Sequence, residues 1–255
     1  MIVTLPNGLL DGGDLFNKAC IDELRGKQQN YLANRDLVVG NIGHIPKILE
    51  DMLISLETEN GLKWEGDLKK VIWKLPSGDI ETLLVKIREN TFGERFYFEA
   101  ECSHCGHNHK NQRLDLDKLE LNRMSLEEIT DSKSRTLKLP KSGKEVELKP
   151  IYLKDYFDII KITTDSQDKL ITPTVALSIK RIDKETKVTS EMIDDLPLKD
   201  IHYIGEKMED MKLEGTIDID VYIKCKKCKK EFVIRLDVYN ADFFSHSRGS
   251  KSSTT

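Results

Sequence analysis

Apolar positions along this chain follow two rhythms, and the rhythms come in the same order twice. Leu5-Pro6-Asn7-Gly8 opens a strand and turn. After Pro46, residues Ile48, Leu49, Met52, Leu53 and Leu56 fall on one face of a predicted helix. Leu75-Pro76 precedes a second predicted helix with Ile80, Leu83, Leu84 and Ile87 at i, i+3, i+4, i+7 spacing, stopping near Gly93. The period then changes to two: Phe96, Phe98 and Ala100 alternate into Cys102-Ser-His-Cys105, and Arg113-Leu-Asp-Leu116 continues beyond.

The second half follows the same grammar. Leu139-Pro140-Lys-Ser-Gly143 begins a hairpin into Val146 and Leu148, and a helix with Leu153, Tyr156, Phe157 and Ile160 in register follows. Pro173 opens another helix, with Val175, Leu177, Ile179 and Ile182 available to bury. Leu196-Pro197 precedes a helix bearing Ile201, Ile204, Met208 and Met211, stopped at Gly215. Ile217, Ile219, Val221 and Ile223 then alternate into Cys225-Lys-Lys-Cys228, which leaves through Arg235-Leu-Asp-Val238. Pro76 lies 26 positions before Cys102 and Pro197 28 before Cys225, and the returning Arg-Leu-Asp follows its cysteine pair by 8 and 7 positions. Each signal alone is common in proteins, but their shared order points to a diverged tandem duplication. The expected fold is therefore α+β, two similar halves forming an internal pseudo-repeat joined by a zinc-ribbon-like four-cysteine site. The expected boundaries are residues 1–121 for the first half, 122–135 for a linker with Ser125-Leu-Glu-Glu128 as a helix cap, and 136–244 for the second half. Residues 245–255 form a Ser/Lys/Thr tail, disordered or ordered by a partner.

At 255 residues the chain has room for one composite domain or two similar ones. Charged residues make up 33% and balance to a formal net charge of -4, with mean hydropathy -0.45. That balance argues against a protein that grips nucleic acid by bulk electrostatics. Neither the opening segment nor any later stretch approaches the roughly 20 apolar residues of a membrane span, so a soluble chain, intracellular when made, is expected. Five cysteines, four in pairs and Cys20 in a predicted helix, fit a reducing compartment better than a disulfide framework.

Cys102 and Cys105, with Cys225 and Cys228, make two C-x2-C knuckles set between strands. Paired knuckles can give four thiolates to one tetrahedral ion, and a structural zinc is the expected cofactor. A site closed by four thiolates keeps no position for a catalytic water, so such a metal stabilises rather than reacts. A redox Cys-x-x-Cys stands at a helix N-terminus, and neither pair precedes a helical pattern. His104, His107 and His109 crowd the first knuckle and offer alternative ligands, whereas His44, His202 and His246 have no partner spacing. Five lysines flank the second knuckle, Lys224, Lys226, Lys227, Lys229 and Lys230. They admit a zinc-ribbon nucleic-acid-binding factor as the alternative reading, though a metal tetrathiolate of charge about -2 also favours nearby ammonium groups. No arginine cluster or aromatic platform accompanies them, so nucleic acid is not the expected partner. P-loop, nucleophile-elbow, HExxH and dinucleotide fingerprints are all missing, and Val39-Gly40-Asn-Ile-Gly43 is too irregular for a phosphate loop. Asp194/Asp195 and Glu209/Asp210 are sequence neighbours and read as solvated surface. No catalytic residue is assigned and no enzyme is expected.

The opening Leu5-Pro-Asn-Gly8-Leu-Leu10, the stretch Leu84-Val-Lys-Ile-Arg88-Glu-Asn-Thr-Phe-Gly93 before a knuckle, and Ile193-Asp-Asp-Leu-Pro197 resemble the baseplate hub and hub-assembly proteins of T-even-type contractile-tailed phages. The resemblance spans residue 1 to about 244, and only the four cysteines carry a role that maps onto this chain, as metal ligands. It implies a non-enzymatic structural or assembly component of a tail baseplate hub. Other baseplate and tail hub proteins would be its partners, with a place in the host cytoplasm during assembly and in the virion baseplate. Edge strands at the Leu-Pro hairpins or the knuckles could accept strands from such partners, and Phe243-Phe244 could dock on a neighbour or pack on the body.

Overall fold

The computed structural model describes residues 1–33, 42–131, 133–165 and 171–245. Val3 and Leu5 point inward from β1 (Ile2–Asp11), which turns at Gly12-Gly13 into β2 (Asp14–Ile21). Both glycines have positive φ, 59° and 92°, the handedness that a two-residue hairpin turn demands. The chain then passes through α1 (Gly26–Ala33) and α2 (His44–Met52) before β3 (Leu53–Thr58) pairs with β2. The result is an antiparallel sheet in the order β1-β2-β3. After α3 (Leu68–Val71), Leu75-Pro76 launches α4 (Ser77–Phe92); a residue before proline is held extended, which sets the helix start. α4 buries Ile80, Leu83, Leu84, Val85 and Ile87 completely and ends at Gly93, φ 85°. The hairpin of β4 (Arg95–Glu101) and β5 (Asn108–Asp115) carries the first knuckle.

β6 (Leu121–Asn122) leads to α5 (Leu126–Thr130), whose start is the expected capping box: Glu128 N–H donates to the Ser125 hydroxyl and Ser125 N–H to the Glu128 carboxylate. A second antiparallel sheet follows, β7 (Thr136–Lys138), β8 (Glu145–Leu148) and β9 (Ile179–Ile182), with α6 (Leu153–Asp165) and α7 (Ile171–Ser178) between its last two strands. α8 (Ser190–Asp194) and α9 (Leu198–Asp210) come next. β10 (Thr216–Ile217) returns to pair with β6, and β11 (Asp220–Lys224) and β12 (Glu231–Arg235) form the second knuckle hairpin.

Three helical placements expected from the sequence change, the expected strand over residues 217–223 breaks into β10 and β11, and residues 5–8 run on inside β1 without turning. Leu53 and Leu56, read as helical, lie in β3, because α2 runs into that strand with no intervening residue and Leu56 pairs with Ala19 of β2. Ile179 and Ile182 leave their expected helix in the same way, as β9 follows α7 directly and pairs with β8. Cys20 is in β2, opposite Ile2. The expected tail from His246 onward lies outside the described residues, as does most of the Val39–Gly43 stretch.

Two large cores form. The first gathers β1–β3, α2 and α4, together with Ile217, Ile219, Leu236, Val238, Phe243 and Phe244 from the far end of the chain. Phe243 and Phe244 thus pack on the body. The Arg88 guanidinium is buried with them, donating from Nε to the Phe243 carbonyl at 2.9 Å with its head 4.7 Å from the centre of the Phe96 ring. Burial pulls its pKa down to about 10, so it remains a cation at neutral pH. The second core packs β7–β9 against α7, α8 and α9.

Each Leu-Pro helix start holds a Leu-Pro segment through an aspartate, the first inside β1 and the second in the turn between β7 and β8. Asp79, third in α4, accepts from the Asn7 and Gly8 N–H groups at 2.8 and 2.9 Å; Asp200, third in α9, accepts from Lys141 and Ser142 N–H, both at 2.8 Å. The positive end of each helix favours the carboxylate there. Burial pushes Asp79 up to about 7 against these donors, whereas for Asp200 the Ser142 hydroxyl and the two N–H groups outweigh burial and hold it below its ordinary value. Beside Asp79 the chain crosses itself. The Asn7 side-chain amide accepts from Gly215 N–H at 2.6 Å and donates to the Gly215 carbonyl at 2.9 Å, standing in for a strand partner. A Cβ on Gly78 would run into the Gly215 carbonyl oxygen, so glycine is what permits this approach.

Gly78→Ala is therefore expected to lower the unfolding free energy by about 3 kcal/mol, as an overpacked backbone crossing does. Gly205→Ala, in α9 with open space around its Cβ, is expected to raise it by about 0.5–1 kcal/mol; urea titration measures both. Glu214 supplies a pH test. Burial pushes its carboxyl up to about 7, opposed by the Ser77 hydroxyl and reinforced by Asp79 and Glu81. A raised carboxyl contributes stability that is full below its unfolded value of 4.5 and is lost as pH rises through about 7. Glu214→Gln should remove that decline and leave the protein about 2 kcal/mol more stable at alkaline pH, read from unfolding curves across this range.

Candidate metal centre

The two knuckle hairpins share their register and their turn. Ala100 faces His109 and Glu101 faces Asn108 in the first; Ile223 faces Phe232 and Lys224 faces Glu231 in the second. In the first turn Cys102 N–H donates to the His107 carbonyl at 3.0 Å and Gly106 N–H to the Cys102 carbonyl at 2.9 Å. In the second, Cys225 N–H donates to the Lys230 carbonyl at 2.8 Å and Lys229 N–H to the Cys225 carbonyl at 3.0 Å. The residue after each second cysteine is left-handed, Gly106 at φ 66° and Lys229 at φ 65°. The single extra residue before Arg113 is absorbed by a bulge in β5, where the register shifts and Asn111 takes φ 51°.

Packed against each other, the hairpins bring all four expected cysteines together. Cys102 Sγ is 3.8 Å from Cys228 Sγ, Cys105 Sγ is 3.7 Å from Cys225 Sγ, and the four sulfurs lie within 4.8 Å of one another. A tetrahedron with metal–sulfur bonds of about 2.3 Å has edges of about 3.8 Å, so the spacing fits one such ion. Cys102 and Cys225 are buried, Cys105 and Cys228 half-buried, one of each kind from each hairpin. Among the described residues these four alone form a cluster that could hold a metal.

The surroundings favour thiolate at one corner. Burial pushes the Cys225 thiol up, but N–H groups of Cys228 and Lys227 and the His109 ring overcome it and bring it to about 5. At Cys105 the His107 N–H pulls down, while burial and the three other cysteines carry the thiol up to about 11. Cys228 N–H lies 3.5 Å and His109 Nε2 3.4 Å from Cys225 Sγ. His109, by sequence an alternative ligand to an all-cysteine site, is thus a neighbour of the thiols rather than a member of the cluster. Its position was visible: it stands seven residues after Cys102 as Phe232 stands seven after Cys225, and the two inward rings meet at 5.5 Å. His104 turns away, with Nε2 3.0 Å from the Glu231 carbonyl, and His107 stands edge-on to His109. His44 and His202 take no part; His44 is buried in α2, where burial pulls its pKa down against a backbone bond at Tyr239. A cavity of about 500 Å³ is lined by residues including Asn7, Trp73, Arg135 and Tyr152, and none of its walls comes from either hairpin.

Fold and site together define a mixed α+β protein of several small sheets in which hairpins distant in sequence meet at a four-cysteine cluster able to hold a metal ion. Residues 43–245 match the family described as T4 bacteriophage base plate protein, and the chain belongs to that family. It is a T4-type phage baseplate protein, a structural component of the tail whose partners are other phage tail proteins. No curated protein and no solved structure matches the chain. Among the described residues no helix is long and apolar enough to cross a membrane.

Proposed function

We propose that the chain is a non-enzymatic structural or assembly component of the baseplate hub, made of two related α+β halves coupled by one structural zinc ion on Cys102, Cys105, Cys225 and Cys228. The observation that carries this reading is the set of four sulfurs, within 4.8 Å of one another, delivered by two hairpins of matching register and turn geometry. The duplication draws support from further matches. Both stretches run strand, strand, helix, helix, strand, helix, helix and knuckle hairpin, the second with the short β10 inserted before its hairpin, and the Asp79 and Asp200 clamps grip corresponding Leu-Pro segments. The halves are residues 1–121 and 136–244, with 122–135 as the connection; the core of the first takes in Ile217, Ile219, Leu236, Val238, Phe243 and Phe244 of the second. The hub assignment rests on the resemblance carried by the Leu5-to-Leu10, Leu84-to-Gly93 and Ile193-to-Pro197 stretches, and family membership supports its baseplate component. Assembly would take place in the host cytoplasm, before the tail is complete.

Metal analysis of the purified chain should find about one zinc per molecule, kept by Cys20→Ser and lost by Cys225→Ser or Cys102→Ser. Hydrogen exchange should then rise more than about tenfold in β4–β5 and β11–β12 while α4 stays protected, because only the hairpins depend on the ion. A zinc-free chain with redox-active thiols would overturn the structural-metal reading. Locating the chain by electron microscopy of intact tails and assembly intermediates tests the hub; its absence from the central baseplate in both would refute that part.

A further inference from the structure

The two knuckles have the same backbone but opposite surfaces. Where the first has Glu101, Ser103, His104, Gly106 and His107, the second has Lys224, Lys226, Lys227, Lys229 and Lys230 in the same order around its cysteines. All five lysines are exposed, and none of their ammonium groups is ion-paired among the described residues. A metal tetrathiolate of charge about -2 would favour ammonium groups nearby, but five lysines exceed that charge and all five stand on one knuckle. Lys229 is the most telling. It holds φ 65°, a left-handed conformation that costs a residue with a Cβ, at the position where the other knuckle uses glycine at φ 66°. Next to the lysines, the outer face of the hairpin exposes an apolar cross-strand pair, Tyr222 opposite Val233, 67% and 50% exposed. This pair sits between the Lys224/Glu231 and Asp220/Arg235 positions, an apolar centre with a charged rim.

We infer that the second knuckle hairpin is a docking surface for an acidic segment of another baseplate protein, its carboxylates meeting the five lysines and an apolar side chain covering Tyr222 and Val233. The inference rests on the baseplate reading for the partner's identity, but the charge and geometry belong to this chain alone. An unpaired positive patch on a chain of net charge -4 selects a negative partner, and the apolar pair favours a protein segment over a phosphate backbone.

Lys229→Gly separates binding from folding, since it removes the charge and relieves the backbone together. Binding of the intact protein to a fluorescent glutamate-rich peptide with a central phenylalanine, and to a single-stranded oligonucleotide of equal charge, is read by anisotropy. The peptide should bind at least about tenfold tighter than the oligonucleotide; Lys229→Gly should weaken it about threefold with unfolding midpoint unchanged or raised, and Tyr222→Ser about tenfold. An oligonucleotide that binds as well, or a peptide indifferent to Lys229→Gly, overturns the inference. A photoreactive phenylalanine at position 222 in infected cells should cross-link to an acidic stretch of another tail protein. A chain present in tails that cross-links only to nucleic acid, or to nothing, defeats the docking surface and leaves the baseplate reading standing. A chain absent from tails and from their assembly intermediates defeats the baseplate reading itself.

Discussion

The two ends of the chain are registered by one close crossing, where Gly78 at the start of α4 meets Gly215 and the Asn7 amide bonds both the N–H and the carbonyl of that residue. The contact joins positions 208 residues apart. It has no room for a side chain on either glycine, since a Cβ on Gly215 would meet the Asn122 and Pro6 carbonyl oxygens. Once Gly215 is seated, β10 falls beside β6, Ile217 and Ile219 enter the first core, and the chain leaves toward β11. The second hairpin can then lie against the first. The four sulfurs are close because the backbone has already been placed, and the Asp79 carboxylate that fixes Asn7 and Gly8 is part of the same placement.

What could be read from the sequence was local and repeated: the cysteine knuckles, the Leu-Pro helix starts, the Ser125/Glu128 capping box, and the alternation that marks both hairpins. What could not be read has two physical sources. Met52 passes to Leu53, and Ser178 to Ile179, from helix to strand with no turn residue between, so no glycine, proline or polar cluster marks the change. Apolar residues on both sides of each boundary keep a helical face plausible past its real end. The reason those residues are extended lies elsewhere in the chain, in the free edges of β2 and β8. The Asn7–Gly215 bond is illegible for a related reason, since an asparagine inside β1 and a glycine just before β10 carry no local signal of each other.

Elements of the same geometry are put to different uses in the two stretches. One aspartate clamp lies deep under the crossing, where burial raises its carboxyl, and the other holds a turn at the edge of the second core with its carboxyl lowered. At the same register position one hairpin points His109 at a sulfur while the other packs Phe232 against that ring. At the same left-handed turn position one has glycine and the other lysine. Matching backbones with different side chains are what is expected when packing constrains the chain and the surfaces are free to take separate roles.

The order of these constraints bears on what a metal can add. Closing a loop of 120 residues from Cys105 to Cys225 would by itself cost about 4 kcal/mol of chain entropy. Most of that is already met by the crossing at Gly215 and by the core residues that follow it, so a metal need not supply it. The hairpins are in a different position: each is an isolated two-stranded sheet, a form of marginal stability in water, and the core between them is small, built on Ala100, Cys102, Ile223, Cys225 and Phe232. An ion bound there would act on the part of the molecule least able to hold itself. A staple set after the long loop is closed stiffens a surface rather than selecting a fold, and the surface it stiffens is the one that carries Lys229 and Tyr222.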